Sequence, residues 1–336
     1  MSKEDQKIYN ECLDKINGLN ALVIGDVILD RYIWGNAERI SPEAPIPIVN
    51  ENRQENRLGG AANVVRNLRG IGVNVDLCGY IGDDVEGKIV LDLLRQENVS
   101  TDGVLVDRLR PTSIKTRVLA SNQQMLRVDR EDKSQRTPVM CEAFAALVEA
   151  SVKKADFIVV SDYAKGVVSK ELIEHLEKLQ VDGEISLQKK PIIFDPHPDN
   201  YSIYKTVCIA KPNRKEAERA VNMSIRNREE ACVAVQKLME LWHSDMALIT
   251  LGADGMVIKC AGDAEPVLID TMAKKVFDVS GAGDTVTSVF VAALCAGASP
   301  NVAGNLANIA AGVVVSEVGT IPIEINKFRD AIEELK

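Results

Sequence analysis

The stretch Asp278-Val-Ser-Gly-Ala-Gly-Asp-Thr285 places three small residues, 281–283, between two aspartates, and an apolar helical pattern follows over residues 286–298. A glycine-rich turn that opens a helix presents unpaired backbone N–H groups at the positive end of the helix dipole, which suits an anion. An aspartate at the same point can act as a base on a group bound beside that anion. The stretch therefore indicates phosphoryl transfer to a hydroxyl.

The spacing of this turn alone leaves a plain structural turn as an equal alternative, because most glycine-rich turns before helices only reverse the chain. The dinucleotide-binding fingerprint fits less well. Val286 stands where its third glycine is required, and the turn lies near the C-terminus instead of after the first strand. This argues against a nicotinamide dehydrogenase.

The composition points to an α/β protein. The chain has 336 residues, of which 46% are hydrophobic and only 4% aromatic, so aliphatic residues must fill the core, as in parallel sheets covered by helices. The formal net charge of −9 argues against a nucleic-acid partner but allows a local basic pocket for a phosphorylated metabolite.

Cysteine and histidine usage excludes several kinds of site. The seven cysteines are dispersed without a C-x-x-C pair, which is typical of reduced cytosolic thiols, and the three histidines lie far apart, so neither a zinc site nor a Ser-His-Asp triad is indicated. Residues 1–17 are charged and helical in pattern, unlike a signal peptide, and no apolar run reaches the roughly 18 residues of a membrane span. We expect a soluble, cytoplasmic protein without a membrane partner.

Apolar runs and amphipathic stretches alternate along most of the chain. This alternation predicts an α/β fold with an open, doubly wound, mostly parallel sheet and helices on both faces. No linker or repeat divides it, so we expect a single domain over residues 1–336. The predicted strands are 21–25, 73–80, 157–160, 191–194, 207–210, 247–250, 256–260 and 266–269, and the main helices are 85–96, 139–153, 170–180, 215–221, 228–242, 280–298 and 302–317.

Two segments interrupt the alternation. Prolines at 42, 45 and 47 exclude a helix or a central strand in residues 41–49, although edge strands are possible there. Residues 113–119 and 125–129 predict a hairpin around Ser121-Asn-Gln-Gln124. We therefore expect a small β-strand lid, inserted around residues 31–57 and 110–130, which can cover a site or pair with a second copy of the chain.

Polar residues follow the predicted strands. Asp26 and Asp30 come just after the first strand, and the carboxyl ends of parallel strands share one edge of the sheet, where α/β proteins bind ligands. The alternative for Asp26 is a turn or helix-cap aspartate. The other residues in such positions are Asp162, Lys165, Asp195, Asn213 and Gly252.

The run Gly59-Gly-Ala-Ala-Asn63 opens another helical pattern. Its two glycines allow the backbone to approach a ligand closely, and the Asn63 amide can bind hydroxyls; a tight strand-to-helix connection is the alternative. Together with Gly72 and Gly82 downstream, this run resembles the first signature of the ribokinase/PfkB carbohydrate kinase family, and Asp278–Thr285 resembles the second. The resemblance implies a ribokinase-like fold, ATP as phosphoryl donor and a small sugar as acceptor.

A narrower resemblance, to the kinases of this family that act on D-glycero-D-manno-heptose 7-phosphate, is carried by the segments 25–32, 39–48, 122–129 and 161–166. It implies phosphorylation of the anomeric hydroxyl to the 1,7-bisphosphate, for ADP-heptose and lipopolysaccharide core synthesis. Many such kinases continue into an adenylyltransferase half, whereas nothing follows Lys336, so we expect a stand-alone kinase. Val65 and His197 also depart from the pattern, His197 replacing a lysine of the bifunctional relatives.

The resemblance also implies roles for individual residues. Asp284 would be the general base, and the backbone N–H groups of Gly281, Ala282 and Gly283 would stabilise the transferring phosphoryl group. Glu216, in an N-x-x-E motif with Asn213, would organise Mg²⁺ through water, and some relatives imply a monovalent cation such as K⁺ near Asp278. The implied nucleotide site consists of Asn213, Thr250, Gly252, Gly255 and Asn308.

The implied acceptor site has two parts, and the resemblance further implies a homodimer through the lid strands. Sugar hydroxyls would be held by Asp30, Gly59, Gly60 and Asn63, and the 7-phosphate by Arg127, Lys165 and Arg117. Two rival interpretations remain: a kinase for another acceptor, such as fructose, ribose or adenosine, and a non-catalytic sensor of sugar or nucleotide with the same fold. The intact Asp284 and glycine turn count against the sensor.

Overall fold

The computed structural model describes residues 2–120, 123–134, 136–272, 276–317 and 319–335, so Ser121 and Asn122 of the predicted hairpin lie outside it. Its strands are β1 (Asn20–Gly25), β2 (Val27–Ile40), β3 (Pro47–Gly60), β4 (Asn74–Gly82), β5 (Val104–Asp107), β6 (Ser113–Ala120), β7 (Gln123–Arg130), β8 (Phe157–Ser161), β9 (Ile192–Asp195), β10 (Ile209–Ala210), β11 (Met246–Thr250), β12 (Met256–Cys260) and β13 (Val267–Ile269). Its α-helices are α1 (Lys3–Ile16), α2 (Ala61–Gly70), α3 (Val85–Gln96), α4 (Pro138–Val152), α5 (Lys170–Val181), α6 (Arg214–Val221), α7 (Arg228–Leu241), α8 (Ala282–Cys295), α9 (Pro300–Val314) and α10 (Ile325–Glu333).

The main sheet confirms the predicted fold class. In the described part of the chain its nine strands follow the order β13-β12-β11-β10-β9-β8-β1-β4-β5. Strands β11 to β5 run parallel, β12 is antiparallel to β11, and β13 is antiparallel to β12. The central strands β1 and β8 are almost wholly buried because helices cover both faces of the sheet. Their carboxyl ends therefore meet along one edge.

Helices pack on the sheet in two groups. Helices α2 and α8 lie against β1 and β8 and pack on each other, and α8 also packs on α9. Helices α4 and α7 pack on β1, β4, β11 and β12, with α5 beside α4. Helix α8 is buried from Asp284 to Ala293 without a break, because small residues let its neighbours approach closely. Among the described residues, none of the helices combines the length and apolar character that crossing a membrane requires.

The lid is a second sheet of four strands in the order β3-β2-β6-β7, counted over the described residues. It begins earlier than expected, at Val27, because only Asp26 separates β1 from β2. The proline-rich segment leaves residues 41–46 outside any strand, and Pro47 starts the edge strand β3, where a missing N–H is tolerated.

Candidate active site

The predicted catalytic turn lies at the start of α8. Gly281 is the N-cap residue with φ of 84°, a left-handed conformation that favours glycine. A Cβ on Gly281 would lie 2.8 Å from Thr320 Cγ2 and 2.9 Å from Asn63 Nδ2, so the position has no room for a side chain. Residues 281–283 are half-buried, whereas Asp284 behind them is buried.

Both carboxylate oxygens of Asp284 accept hydrogen bonds from distant parts of the chain. Asn63 Nδ2 donates to Oδ2 at 2.7 Å and the Tyr163 hydroxyl donates to Oδ1 at 2.9 Å. Burial raises the pKa of Asp284 to about 6; the Asn63 bond opposes this, nearby Asp195 adds to it, and the Tyr163 bond and Lys211 oppose it further. A carboxylate with that pKa is mostly ionised at neutral pH yet more basic than a surface aspartate, which suits a general base.

Asp278 ties the turn to the loop before α10. Its Oδ1 accepts the Ser280 N–H at 2.9 Å and its Oδ2 accepts the Gly319 N–H at 3.0 Å. The Ala282 N–H donates to the Val279 carbonyl at 3.3 Å, whereas the Gly281 N–H has no partner within the described residues. The Gly283 N–H likewise has no partner in the described part of the chain, so Gly281 and Gly283 supply the donors of this turn that are open to an anion.

The predicted sugar-binding residues lie together beside the base. Asp30 is buried and accepts a hydrogen bond from Arg117 Nη1 at 2.6 Å, and its carboxylate fills the space where Gly59 would carry a Cβ. Gly60, with φ of 57°, is the N-cap of α2, which brings Asn63 to Asp284. Asn63 Oδ1 is buried without a partner among the described residues, and such orphaned acceptors in native structures call for a functional explanation.

Each of the three cations predicted for the 7-phosphate has a carboxylate partner. Arg117 binds Asp30, Lys165 forms a close ion pair with Glu131, and Arg127 binds Asp129 through two nitrogens at 2.8 and 3.0 Å. Strand register places Asp30, Lys115 and Asp129 opposite one another on one face of the lid, and Tyr32, Arg117 and Arg127 in the next row of that face.

The predicted metal motif is a capping box at the start of α6. The Asn213 side chain accepts the Glu216 N–H at 3.1 Å, and Glu216 Oε2 accepts the Asn213 N–H at 2.8 Å. Burial raises the pKa of Glu216, and the carboxylate of Asp195 raises it further. The described residues contain no cluster of three or more His, Cys, Asp or Glu side chains placed to hold a metal directly.

Lys211 is a site residue that the sequence prediction missed. Its Nζ lies 2.9 Å from Asp195 Oδ2 and 3.6 Å from the place of a Cβ on Gly283, so its charge lies directly beside the glycine turn. Burial lowers the pKa of Lys211, but Asp195 and Glu216 outweigh burial and the net pKa is raised, so the lysine stays protonated. The sequence signal that could have identified Lys211 is its position just after β10, immediately before Pro212-Asn213.

The predicted nucleotide-binding residues lie at the end of β11, in the segment that follows it, and on α9. Thr250 ends β11 and forms a parallel bridge with Asn213. Gly252 has φ of 64° and open space around its Cα, and Gly255, with φ of 84°, packs against the 269–271 backbone. Asn308 on α9 donates to the Asp270 carbonyl, so it meets the same backbone segment as Gly255.

The loop after β8 supplies Tyr163, which the sequence prediction also missed. The carboxylate of Asp26 accepts the N–H groups of Tyr163, Lys165 and Val167 at 2.9 to 3.0 Å, so Asp26 is the turn residue that was the alternative to a ligand contact. Ala164 within the loop has φ of 53°, a strained conformation that this anchoring maintains. The loop thereby fixes the tyrosine that reaches Asp284.

Asp162 and His197 form hydrogen bonds in the region of the loop after β8. Asp162 accepts hydrogen bonds from the Tyr204 hydroxyl at 2.7 Å and the Asn200 amide at 2.9 Å, and burial raises its pKa to about 6. His197 Nδ1 accepts the Asp199 N–H at 3.2 Å and so caps the short 3-10 helix Pro198–Ile203. This gives the departure from lysine at position 197 a structural explanation.

A doubly wound sheet, a β-strand lid over its carboxyl edge and a buried aspartate behind a glycine turn are together typical of ribokinase-like sugar kinases. The chain belongs to the pfkB family of carbohydrate kinases, whose model matches residues 19–326. It is therefore a phosphotransferase that acts on a sugar hydroxyl, as the two signatures predicted.

Curated relatives and solved structures agree with this assignment. The chain is 39% identical over 331 residues to the Bifunctional protein HldE of Desulfatibacillum aliphaticivorans, covering 98% of this chain and 66% of the relative. It is 41% identical over 302 residues to that of Geobacter sulfurreducens, covering 90% and 60%. The chain thus spans less than two thirds of the length of these relatives.

Two solved structures share the fold at low identity. Ribokinase of Arabidopsis thaliana, complexed with ribose and ATP, has a TM-score of 0.73 at 20% identity and covers 94% of this chain and 99% of its own. Phosphofructokinase-2 of Escherichia coli, in complex with substrates and products, has a TM-score of 0.74 at 19% identity and covers 95% and 99%. The predicted ribokinase-like fold is therefore confirmed.

Proposed function

We propose that this sugar kinase transfers the γ-phosphoryl group of ATP to the anomeric hydroxyl of D-glycero-D-manno-heptose 7-phosphate, giving the 1,7-bisphosphate for ADP-heptose and lipopolysaccharide core synthesis. The observation that carries the proposal is a group of four cations on the lid face and the adjoining loop, one more than the three carboxylates, Asp30, Asp129 and Glu131, that pair with them. Lys115, Arg117, Arg127 and Lys165 are gathered there. A neutral sugar does not require such a charge, whereas an acceptor that already carries a phosphate does.

In the proposed mechanism Asp284 accepts the proton of the 1-hydroxyl while that oxygen attacks the phosphoryl group. Asn63 and Tyr163 orient the carboxylate, and Asp30 and the Gly59–Gly60 backbone hold other hydroxyls of the sugar. Phosphoryl transfer depends mainly on alignment and charge neutralisation. Lys211 and the N–H groups of Gly281 and Gly283 supply that neutralisation, each donor being worth on the order of 3 kcal/mol by analogy with oxyanion holes.

We propose that Mg²⁺ binds near Glu216 through water. The raised pKa of Glu216 beside Asp195 fits this, because a divalent cation relieves the repulsion between the two carboxylates. When bound, Mg²⁺ would neutralise the charge of the nucleotide phosphates. Thr250, Gly252, Gly255 and Asn308 would line the nucleotide site with Asn213. A monovalent cation such as K⁺ near Asp278 stays a prediction. Both oxygens of the Asp278 carboxylate already accept hydrogen bonds from backbone N–H groups, so these bonds account for the carboxylate without a cation.

We also propose a cytoplasmic homodimer formed through the lids. The face of the lid opposite the cations carries Leu126 and Val128, which are 49% and 55% exposed. Apolar side chains gathered on a projecting sheet are typical of an association surface. Charged residues surround them on the edge strands, which limits uncontrolled pairing.

The decisive experiment measures ADP release by the purified chain against a panel of acceptors with ATP and Mg²⁺. The panel contains D-glycero-D-manno-heptose 7-phosphate, the unphosphorylated heptose, fructose 6-phosphate, fructose, ribose and adenosine. We expect kcat/KM for heptose 7-phosphate to exceed that for each other acceptor by at least about 100-fold. Comparable or higher kcat/KM for another member would contradict the proposed acceptor, and turnover of none would favour the sensor.

A further inference from the structure

Lys115 differs from Arg117, Arg127 and Lys165 in its position and in the charges around it. It lies in β6 opposite Asp30 of β2 and Asp129 of β7, so its side chain is on the same lid face as theirs. Its Nζ lies 5.1 Å from the centre of the Tyr163 ring, and the hydroxyl of that ring donates to Asp284. Ring and bond lengths then place Nζ within about 11 Å of the base, a gap that a sugar chain can bridge.

The carboxylates of this face are already engaged by other cations. Asp30 binds Arg117, Asp129 binds Arg127, and Glu131 binds Lys165. Lys115 forms no hydrogen bond or ion pair with the part of the chain that the structure describes; its contact is the face of Tyr163. Lys115 is thus the cation of this group whose three N–H donors remain available.

The environment of Lys115 disfavours its charge when no anion is bound. Burial lowers the pKa of Lys115, Asp30 opposes this, and the positive charges of Lys165, Arg117 and Arg127 lower it further. A half-buried ammonium group among like charges lowers the stability of the fold, so we expect Lys115 to bind a ligand. A phosphate dianion would offset the repulsion and accept charge-assisted hydrogen bonds from the Lys115 ammonium group.

A second lysine, Lys211, lies in a different part of the site from Lys115. Lys211 lies beside Gly283, where the transferring phosphoryl group would be, and is neutralised by Asp195. Lys115 instead lies over the ring of Tyr163, whose hydroxyl donates to Asp284. One lysine therefore suits the phosphoryl group in transit and the other a phosphate that stays on the acceptor.

We infer that Lys115 is the specificity-determining residue that binds the terminal phosphate of the acceptor, with Arg117, Arg127 and Lys165 completing the positive face. This inference rests on the proposed function, because it requires a phosphorylated acceptor. It assigns to Lys115 the selection of sugar phosphates over free sugars and leaves the chemical step to Asp284.

The test compares Lys115→Met, which keeps most of the side-chain length and removes the charge, with Lys133→Met as control. Lys133 is 51% exposed and pairs with Glu131 and Asp199, so its charge is screened by solvent. For Lys115→Met we expect the KM for heptose 7-phosphate to rise about 10- to 100-fold with kcat changed less than threefold, because a hydrogen bond to a charged group contributes about 1.5–3 kcal/mol. The KM for the unphosphorylated heptose should not change.

A binding measurement keeps the inference testable without turnover. Inorganic phosphate should raise the Tm of the wild-type chain and of Lys133→Met, and raise that of Lys115→Met clearly less, while Lys115→Met alone should melt no lower than wild type. Equal increases in KM for phosphorylated and free sugar, or an undiminished phosphate effect on Tm, would overturn the role of Lys115. If wild type prefers a free sugar while phosphate protection still depends on Lys115, the proposed function fails and the anion site stands.

Discussion

The most discriminating test of the candidate base is Tyr163→Phe, which removes one hydroxyl and keeps the buried ring. That hydroxyl donates to Asp284 Oδ1 at 2.9 Å and favours the ionised carboxylate. A hydrogen bond to a charged group is worth about 1.5–3 kcal/mol, and 1.36 kcal/mol corresponds to one pKa unit. The pKa of Asp284, about 6 in the wild type, should therefore rise by roughly 1–2 units in the variant.

The assay is the pH dependence of kcat/KM, whose acid limb reports the base in the free enzyme. Because the base must be ionised, the acid limb should move to higher pH, with activity at pH 6 falling about 5- to 50-fold and activity near pH 9 largely recovered. Tyr204→Phe is the matched control, since that buried hydroxyl donates to Asp162 instead. An acid limb that stays in place, or an equal loss of activity at every pH, would refute the assignment of Tyr163 and weaken that of Asp284.

Three further variants test the remaining parts of the site and the lid. Asp284→Asn should reduce kcat by at least about 10²–10⁴-fold with acceptor binding retained. Burial raises the pKa of Asp284 to about 6, so the ionised carboxylate destabilises the fold above that pH. The free energy of unfolding of the variant, measured with urea, should therefore exceed that of the wild type by up to about 3 kcal/mol at pH 8. This difference should disappear below pH 4. Glu216→Gln, which can keep the capping box, should raise the Mg²⁺ concentration for half-maximal activity about 10-fold without changing acceptor KM, and an unchanged Mg²⁺ dependence would remove Glu216 from the metal site. Val128→Glu, on the apolar lid face, should shift the chain toward monomer in light scattering while leaving monomer folding intact by circular dichroism.

The main sheet was predictable because its strands are short continuous aliphatic runs, a pattern that burial on both faces imposes. Residues 21–25 and 157–160 were assigned on that basis, and β1 and β8 occupy them within one residue. Strand β5 was missed because it has only four residues at the sheet edge, too few to give a clear strand pattern. The lid began at residue 27 instead of 31 because the one-residue break at Asp26 does not interrupt the apolar pattern.

The candidate site was predictable only where one segment carries its own signal. The turn before α8 has such a signal, since glycines, small residues and an aspartate must be adjacent to form it. Tyr163 does not, because its role depends on contact with a residue 121 positions away. Lys115 was missed for the same reason, since its lack of a carboxylate partner emerges only when the three strands β2, β6 and β7 are aligned.

The Asn213–Glu216 motif shows how a structural and a functional explanation can both hold for the same residues. The capping box alone accounts for asparagine at the N-cap and glutamate three residues later, without any metal. It does not account for the placement of Glu216 near Asp195, which raises the pKa of Glu216 and disfavours its charge. A helix cap needs no second carboxylate beside it, and Lys211 is already paired with Asp195 at 2.9 Å. The capping box alone therefore leaves the position of the Glu216 carboxylate near Asp195 unexplained, and the Mg²⁺ proposed above would relieve the repulsion between the two carboxylates.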